Sequence, residues 1–155
     1  MVRRTSLVVA ILATCLASAG APCVGAGNAR TWAERMALSE MKRQGDSLLY
    51  GKNPKAKWAY ETGVFLKGLE AVWMRTGNAR YYDFLKDVID SYLGPDGTIE
   101  TYKPEEYNLD NINCGKLLLT LYQKTKEEKY RKAAFLLMKQ LENQPRTREG
   151  GFWHK

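Results

Sequence analysis

The sequence predicts an all-α fold in which pairs of helices stack side by side around a toroid. Apolar residues recur at spacings of three and four in five successive segments, which is typical of helices that bury one face. Two of the resulting helix–turn–helix units repeat at an offset of 49 residues, the distance from Thr76 to Thr125. The connector between the units carries a strong turn signal, Gly94 to Gly97, and is long for an open solenoid. It favours a closed toroid with functional loops at one end.

The first 27 residues have the layout of a secretory signal peptide. Arg3 and Arg4 precede an apolar run, Leu7 to Ala13, that is too short to span a bilayer, and small residues follow it. We therefore expect cleavage between Ala19 and Gly27, a periplasmic or secreted product, and no stable membrane insertion afterwards. A lipid anchor on Cys15 is the less favoured alternative, because a threonine directly precedes this cysteine and the apolar run is short.

The remaining residues, 28–155, are expected to form one helical domain with five helices. Thr31 and Glu34 have the spacing of a capping box at the start of the first helix, and residues 45–54 are expected to be a loop. The next helices are predicted at about 57–75 and 79–93. A fourth follows Asn108, and a fifth runs from about 127 to 142 and is ended by Pro145. Residues 98–102 alternate between polar and apolar side chains and predict a short strand.

The third and fifth helices have apolar stripes with the same spacing, which supports the repeat. The stripes are Tyr81, Leu85, Val88 and Tyr92 in the third helix, and Tyr130, Ala134, Leu137 and Leu141 in the fifth. Aromatic residues make up 11% of the chain, which fits either sugar stacking or a helical core. Trp58, Tyr81 and Tyr130 are most simply core residues.

Charge and cysteine content limit the classes of partner. The net charge is +7, and removal of Arg3 and Arg4 with the signal peptide leaves about +5. The basic residues are spread rather than clustered, which disfavours nucleic acid, whereas an acidic glycan or an ordinary solvated surface fits. Cys114 is the one cysteine expected to remain, so no internal disulfide is expected, and its apolar helical surroundings predict a buried thiol.

Three segments in order resemble the successive signatures of glycoside hydrolase family 105, the unsaturated rhamnogalacturonyl hydrolases, which are relatives of the family 88 glucuronyl hydrolases. They are Trp58 to Val64, Asn108 to Asn113, and Glu149 to Lys155. The resemblance covers about residues 30–155. It implies an (α/α)6 barrel of which about the first five helices are present.

The resemblance also implies a reaction that differs from ordinary glycoside hydrolysis by two carboxylates. The substrate would be an acidic, pectin-type oligosaccharide whose terminal uronic acid carries a C4=C5 double bond left by a lyase. An Asp protonates C4 and steers water to C5, and the resulting hemiketal opens and releases the neighbouring sugar. Neither a metal nor an organic cofactor is implied.

In the family, the main acid–base Asp lies in a Met-Trp-Leu-Asp-type motif shortly after the Gly-Gly-Phe-Trp-His segment. The 155 residues contain no such motif. The sequence therefore predicts a partial chain, inactive by itself, that carries one wall of the active site.

The resemblance assigns roles to six residues. Asp110 matches the second active-site Asp. From its position alone it is better explained as a carboxylate that stabilises a helix start, and the resemblance reverses that preference. Tyr60 and Glu61 match a substrate-contacting pair, although some family members have His at the second position. The resemblance places Trp153, His154 and Lys155 around the subsite for the unsaturated uronate, with Trp153 as a stacking face and Lys155 as a partner for the uronate carboxylate.

Two alternatives remain open from the sequence. Another (α/α) barrel sugar enzyme, such as an epimerase, would use several active-site histidines, and the chain has one. A helical remnant that binds glycans without catalysis would need only the wall that the 155 residues provide.

Overall fold

The computed structural model describes residues 30–154, so the predicted signal peptide and Lys155 lie outside the described residues. These residues form five α-helices, with no regular strand among them. The helices are α1 (Trp32–Gln44), α2 (Tyr60–Thr76), α3 (Ala79–Tyr92), α4 (Gly115–Thr125) and α5 (Glu128–Asn143). Short 3-10 helices lie at Gly45–Leu48, Pro104–Glu106 and Leu109–Ile112.

The predicted capping box opens α1. The Thr31 hydroxyl accepts a hydrogen bond from the Glu34 N–H, and the Glu34 carboxylate accepts one from the Thr31 N–H at 2.8 Å. Two donors that a helix start leaves unpaired are thereby satisfied.

The repeat predicted from the sequence is present in the turns between paired helices. Gly77 after α2 and Lys126 after α4 are both left-handed, with φ values of 67° and 61°, and each N–H donates to the carbonyl four residues earlier at 2.8 Å. Thr76 and Thr125 also match, because each hydroxyl donates to a carbonyl of the preceding helical turn. The pairs α2–α3 and α4–α5 are therefore two copies of one helical hairpin.

The two hairpins pack side by side to form an arc of an (α/α)6 barrel. Helix α2 packs against α3 and α4, α4 packs against α5, and α1 lies against α2. Every residue of the third-helix stripe is buried, as are Tyr130, Ala134 and Leu137 of the fifth. Burial of each large apolar side chain stabilises the fold by about 2 kcal/mol.

An ion network joins α3 to α5 beside this core. The Asp90 carboxylate accepts hydrogen bonds from the Tyr130 hydroxyl at 2.6 Å and from Lys86 at 2.5 Å, and Lys129 lies 3.0 Å away. Burial by itself would raise the pKa of Asp90, but the hydrogen bonds from Lys86, Tyr130 and Lys129 outweigh it and hold that pKa below its usual value.

Four sequence predictions need correction. Residues 98–102 form no strand, because their only ladder contact is an isolated bridge between Leu93 and Ile99. Helix α2 begins at Tyr60 rather than near residue 57, and residues 45–48 of the predicted loop form a 3-10 helix. The fourth helix starts as a 3-10 helix at Leu109, and α4 proper begins only at Gly115.

In α1, only some of the apolar residues at helical spacing are covered. Ala37 and Met41 are buried, whereas Trp32 and Met36 are 77% and 72% exposed. An open groove of about 440 Å³ runs between α1 and α2 on this side. None of the helices within residues 30–154 is long and apolar enough to cross a membrane.

Antiparallel pairing brings three connecting segments to one end of the arc. Helices α2 and α4 both start there, and α3 and α5 both end there. The segment before α2, the segment from residue 93 to 114, and the residues after α5 therefore meet. The topology thus places these connecting segments at one end of the arc, where the sequence predicts loops.

Candidate active site

The floor of the candidate site is a tight contact between the start of α2 and the start of α4. Three hydrogen bonds cross it. The Trp58 indole donates to the Asn111 carbonyl at 2.7 Å, the Asn113 amide donates to the Tyr60 carbonyl at 3.3 Å, and the Cys114 thiol donates to the Ala59 carbonyl at 3.2 Å. These bonds fix the backbone that carries Tyr60 relative to the backbone that carries Asp110.

Gly63 allows this approach. A Cβ atom at this position would lie 2.8 Å from the Cys114 backbone nitrogen and 2.9 Å from the Asn113 side-chain nitrogen. Such distances are well inside ordinary van der Waals contact, so a larger residue would separate α2 from α4.

Asp110 lies in the 3-10 turn Leu109–Ile112, one residue after its first position. The Asn108 side chain caps this turn by accepting a hydrogen bond from the Asp110 N–H at 3.0 Å. Asp110 therefore lies in the first turn of a helix, as expected, but this helix is a short 3-10 helix that precedes α4. Because a four-residue 3-10 helix aligns few peptide dipoles, the helix-dipole argument contributes little here.

The segment that follows α5 positions His154. The chain folds back on itself through an isolated bridge between Arg146 and Phe152, and the Arg146 guanidinium stacks on the Phe152 ring at 3.7 Å. The Trp153 N–H then donates to the Pro145 carbonyl at 2.8 Å. This return places the last described residue, His154, beside the 3-10 turn of Asp110.

Asp110 and His154 form a direct contact at the mouth of the site. The His154 Nε2 atom lies 3.2 Å from Asp110 Oδ1, and about half of each side chain is exposed to solvent. A carboxylate and an imidazole at this distance can share a proton or together bind a sugar hydroxyl. The structure thus brings together two residues that are 44 positions apart in the sequence.

Three other predicted site residues belong to the part of the chain that the structure describes. Trp153 is 57% exposed and offers an accessible aromatic face. Tyr60 and Glu61 occupy the first turn of α2 and are also exposed. Within residues 30–154, no hydrogen bond joins the side chain of either residue to Asp110 or His154. The structure therefore supports the pair and Trp153 as one cluster and leaves Tyr60 and Glu61 on the neighbouring helix.

Cys114 is a structural residue, as the sequence predicts. It is fully buried beneath the site, and burial raises the pKa of its thiol to about 12. Since the thiolate is the reactive form of cysteine, burial disfavours Cys114 as a nucleophile.

Sequence reasoning missed the residues that support the site. Asn108 and Asn113 belong to the recognised segment but were not assigned roles, and the structure shows one as a cap and the other as a cross-link to α2. Buried Gln140 and Gln144 were missed completely. Nothing in the local pattern marks them, because amide residues near a helix end are usually solvated.

Comparison with known proteins identifies the chain as a member of a glycoside hydrolase family. The sequence model of Glycosyl Hydrolase Family 88 matches residues 32–155, and the chain belongs to this family. The chain is also similar to a solved structure of a family 105 glycoside hydrolase from C. acetobutylicum ATCC 824, at 39% sequence identity and a TM-score of 0.70. That match covers 81% of this chain and 33% of the C. acetobutylicum chain, so the matched region spans about a third of the solved protein.

Proposed function

We propose that this protein acts on lyase-generated, pectin-type oligosaccharides and takes part in removing their terminal unsaturated uronic acid. The observation that carries the proposal is the 3.2 Å contact between Asp110 and His154 beside the exposed Trp153. A carboxylate, an imidazole and an indole face are the groups that bind sugar hydroxyls and stack on a sugar ring. Membership in family 88 and similarity to a family 105 enzyme support a glycosidase.

The proposed chemistry is hydration of the C4=C5 double bond. A proton adds to C4 and water adds to C5, which gives a hemiketal that opens and releases the neighbouring sugar. Asp110 would bind a hydroxyl of the unsaturated ring or relay a proton, with His154 as its hydrogen-bond partner. Trp153 would stack on the ring, and Lys155 would pair with the uronate carboxylate. Tyr60 and Glu61 would complete the subsite from α2.

The main proton donor of the proposed reaction is not among these residues. The 155 residues contain no Met-Trp-Leu-Asp-type motif. We therefore propose that these residues bind the unsaturated sugar, and we assign none of them the protonation of C4. The family match gives the epimerase alternative no support.

The setting of this function is also a proposal. The layout of residues 1–27 supports export, and the spread of basic residues supports an acidic glycan rather than nucleic acid as partner. No cofactor is included in the proposed reaction.

Two experiments test the proposal. In a full-length family 105 homologue, replacement of the Asp equivalent to Asp110 by Asn should lower activity by about a hundredfold, with no loss of melting temperature. Activity is followed as loss of the ultraviolet absorbance of the double bond. Unchanged activity would remove Asp110 from the mechanism.

The second experiment measures binding to the chain itself. An unsaturated uronate disaccharide should quench the tryptophan fluorescence of the 155-residue chain, and Asp110→Asn should weaken binding by about tenfold or more, since a hydrogen bond to a charged group contributes about 1.5–3 kcal/mol. Asp87→Asn is the matched control, because Asp87 is an exposed carboxylate of α3 away from the site. Equal loss of binding in both variants would show a general charge effect and contradict a specific site.

A further inference from the structure

The contact between Asp110 and His154 is too exposed to hold the site together. About half of each side chain is open to water, and exposed ion pairs contribute at most about 1 kcal/mol. The two segments that carry these residues must therefore be positioned by other interactions.

Two buried amides at the end of α5 provide those interactions. Gln140 and Gln144 are each only 3% exposed and lie one helical turn apart. The Gln144 amide nitrogen donates to the Tyr107 carbonyl at 2.7 Å and to the Trp153 carbonyl at 2.9 Å. One side chain thus holds the residue three before Asp110 and the residue directly before His154.

Gln140 completes the same network. Its amide nitrogen donates to the Asn108 carbonyl at 3.2 Å and to the Gln144 side-chain oxygen at 3.0 Å. Its own oxygen accepts from the Tyr102 hydroxyl at 2.7 Å. Burial raises the pKa of Tyr102 to about 12, so this hydroxyl remains a donor throughout the ordinary pH range.

The hydrogen bonds that lead from Tyr102 to Gln144 can be donated in only one direction. Tyr102 donates to Gln140, Gln140 donates to Gln144, and Gln144 donates to two backbone carbonyls. Reversing either amide would place its oxygen against a carbonyl oxygen in a buried environment. Only a side chain with two amide hydrogens can serve at position 144, and a carboxylate of the same shape cannot.

The backbone of Tyr107 is one part of the chain that this network stabilises. Its backbone is left-handed, with φ at 51°, a conformation that costs a non-glycine residue about 1–2 kcal/mol. The Gln144 hydrogen bond to its carbonyl stabilises this turn, from which the chain enters the 3-10 helix of Asp110.

We propose that Gln144, oriented by Gln140, is the positioning residue that sets the contact between Asp110 and His154. Its meaning for sugar chemistry rests on the proposed function, but the positioning itself is a property of the chain. Gln144 touches backbone only and acts through the two residues that it aligns.

The single histidine of the chain allows a direct test. In the full 155-residue chain, the imidazole resonances of His154 are recorded by NMR at a pH where imidazole is neutral. Asp110→Asn should displace these resonances, because it changes the group that faces Nε2. The same substitution is then made in a Gln144→Glu background, which keeps the shape of the side chain and removes both donors.

The expected result is loss of the coupling between the two residues. In the Gln144→Glu background, Asp110→Asn should leave the His154 resonances in place. Asn143→Asp is the matched control, since it introduces the same charge on the neighbouring residue, whose amide donates to the Lys139 carbonyl at 2.8 Å. In that background the displacement should remain as large as in the wild-type chain.

An equal displacement in the Gln144→Glu background would overturn the proposal. If Gln144→Glu lacks the helical circular dichroism of the wild-type chain, Tyr102→Phe replaces it, because this variant removes only the hydroxyl that orients Gln140. A reduced displacement in Tyr102→Phe supports the network, and a full displacement overturns it. The experiment uses no sugar, so failure of the proposed function would leave its result intact.

Discussion

Replacement of Gly63 and replacement of Gly68 by Ala should have opposite effects on the stability of the chain. Both glycines lie within α2, where Gly→Ala ordinarily stabilises a helix by about 1 kcal/mol. A Cβ atom on Gly68 would meet nothing within 4 Å, so Gly68→Ala should keep that gain. A Cβ atom on Gly63 would meet the backbone nitrogen of Cys114 at 2.8 Å, and backbone cannot rotate away as a side chain can.

The expected loss of stability in Gly63→Ala follows from these contacts. Relief of the clash requires α2 to move from α4 by more than about half an ångström, and overpacking of this kind costs about 1–3 kcal/mol. The move also stretches the hydrogen bonds of Asn113 and Cys114 to the start of α2, each contributing about 1 kcal/mol. After subtraction of the helical gain, Gly63→Ala should destabilise the chain by about 1–2 kcal/mol, about 2–3 kcal/mol below Gly68→Ala.

Urea unfolding followed by helical circular dichroism measures this difference. Each midpoint is compared with that of the wild-type chain at constant slope, so that the change reports stability rather than compactness. A Gly63→Ala chain as stable as the Gly68→Ala chain would refute the close packing of α2 on the segment that carries Asp110.

Three further outcomes follow from the fold. Lys126→Gly should stabilise the chain by about 1 kcal/mol in the same urea assay, because the left-handed backbone at position 126 favours glycine. Gln123→Gly, in the last turn of α4, should instead cost about 1 kcal/mol. Destabilisation by both substitutions would contradict the capping turn. Asp90→Asn should cost about 1–3 kcal/mol at neutral pH. Because folding lowers the pKa of Asp90, the contribution of Asp90 to stability is complete above the ordinary Asp pKa and is lost as pH falls through the folded value. The melting temperature of the wild-type chain should therefore fall more steeply with acid than that of Asp90→Asn. Leu119 is 54% exposed on the open face of α4, and Leu119→Lys should reduce binding of a hydrophobic dye, which the matched Gln123→Lys should leave unchanged.

The sequence predicts the helical hairpins well because their signals are local and periodic. The stripe of Tyr81, Leu85, Val88 and Tyr92 is buried as expected, since a spacing of four, three and four places all four side chains on one face. The capping box and the repeat of 49 residues are confirmed for the same reason, because short-range hydrogen bonds determine both.

The support of the site depends on contacts that no local pattern records. Gln140 and Gln144 look like solvated residues at a helix end, and their burial arises only because residues 102–108 and 145–153 both fold over them. The start of the fourth helix was misplaced for a related reason. Asn108 caps a short 3-10 turn there, and its signal is the same as that of an α-helix cap.

The exposed apolar residues of α1 show the limit of periodicity in another way. Trp32 and Met36 fit the helical stripe, yet the described residues leave them open. Periodicity predicts which face of a helix is apolar, but whether that face is covered depends on what packs against it.

The central claim is that Asp110, His154 and Trp153 form a subsite for an unsaturated uronate. Titration of the 155-residue chain with an unsaturated uronate disaccharide, observed through the imidazole resonances of its single histidine, tests it most directly. A saturable displacement that Asp110→Asn weakens, and that a neutral disaccharide does not produce, is the predicted result. Resonances that stay unmoved by the unsaturated sugar, or that move equally with the neutral one, would contradict the claim.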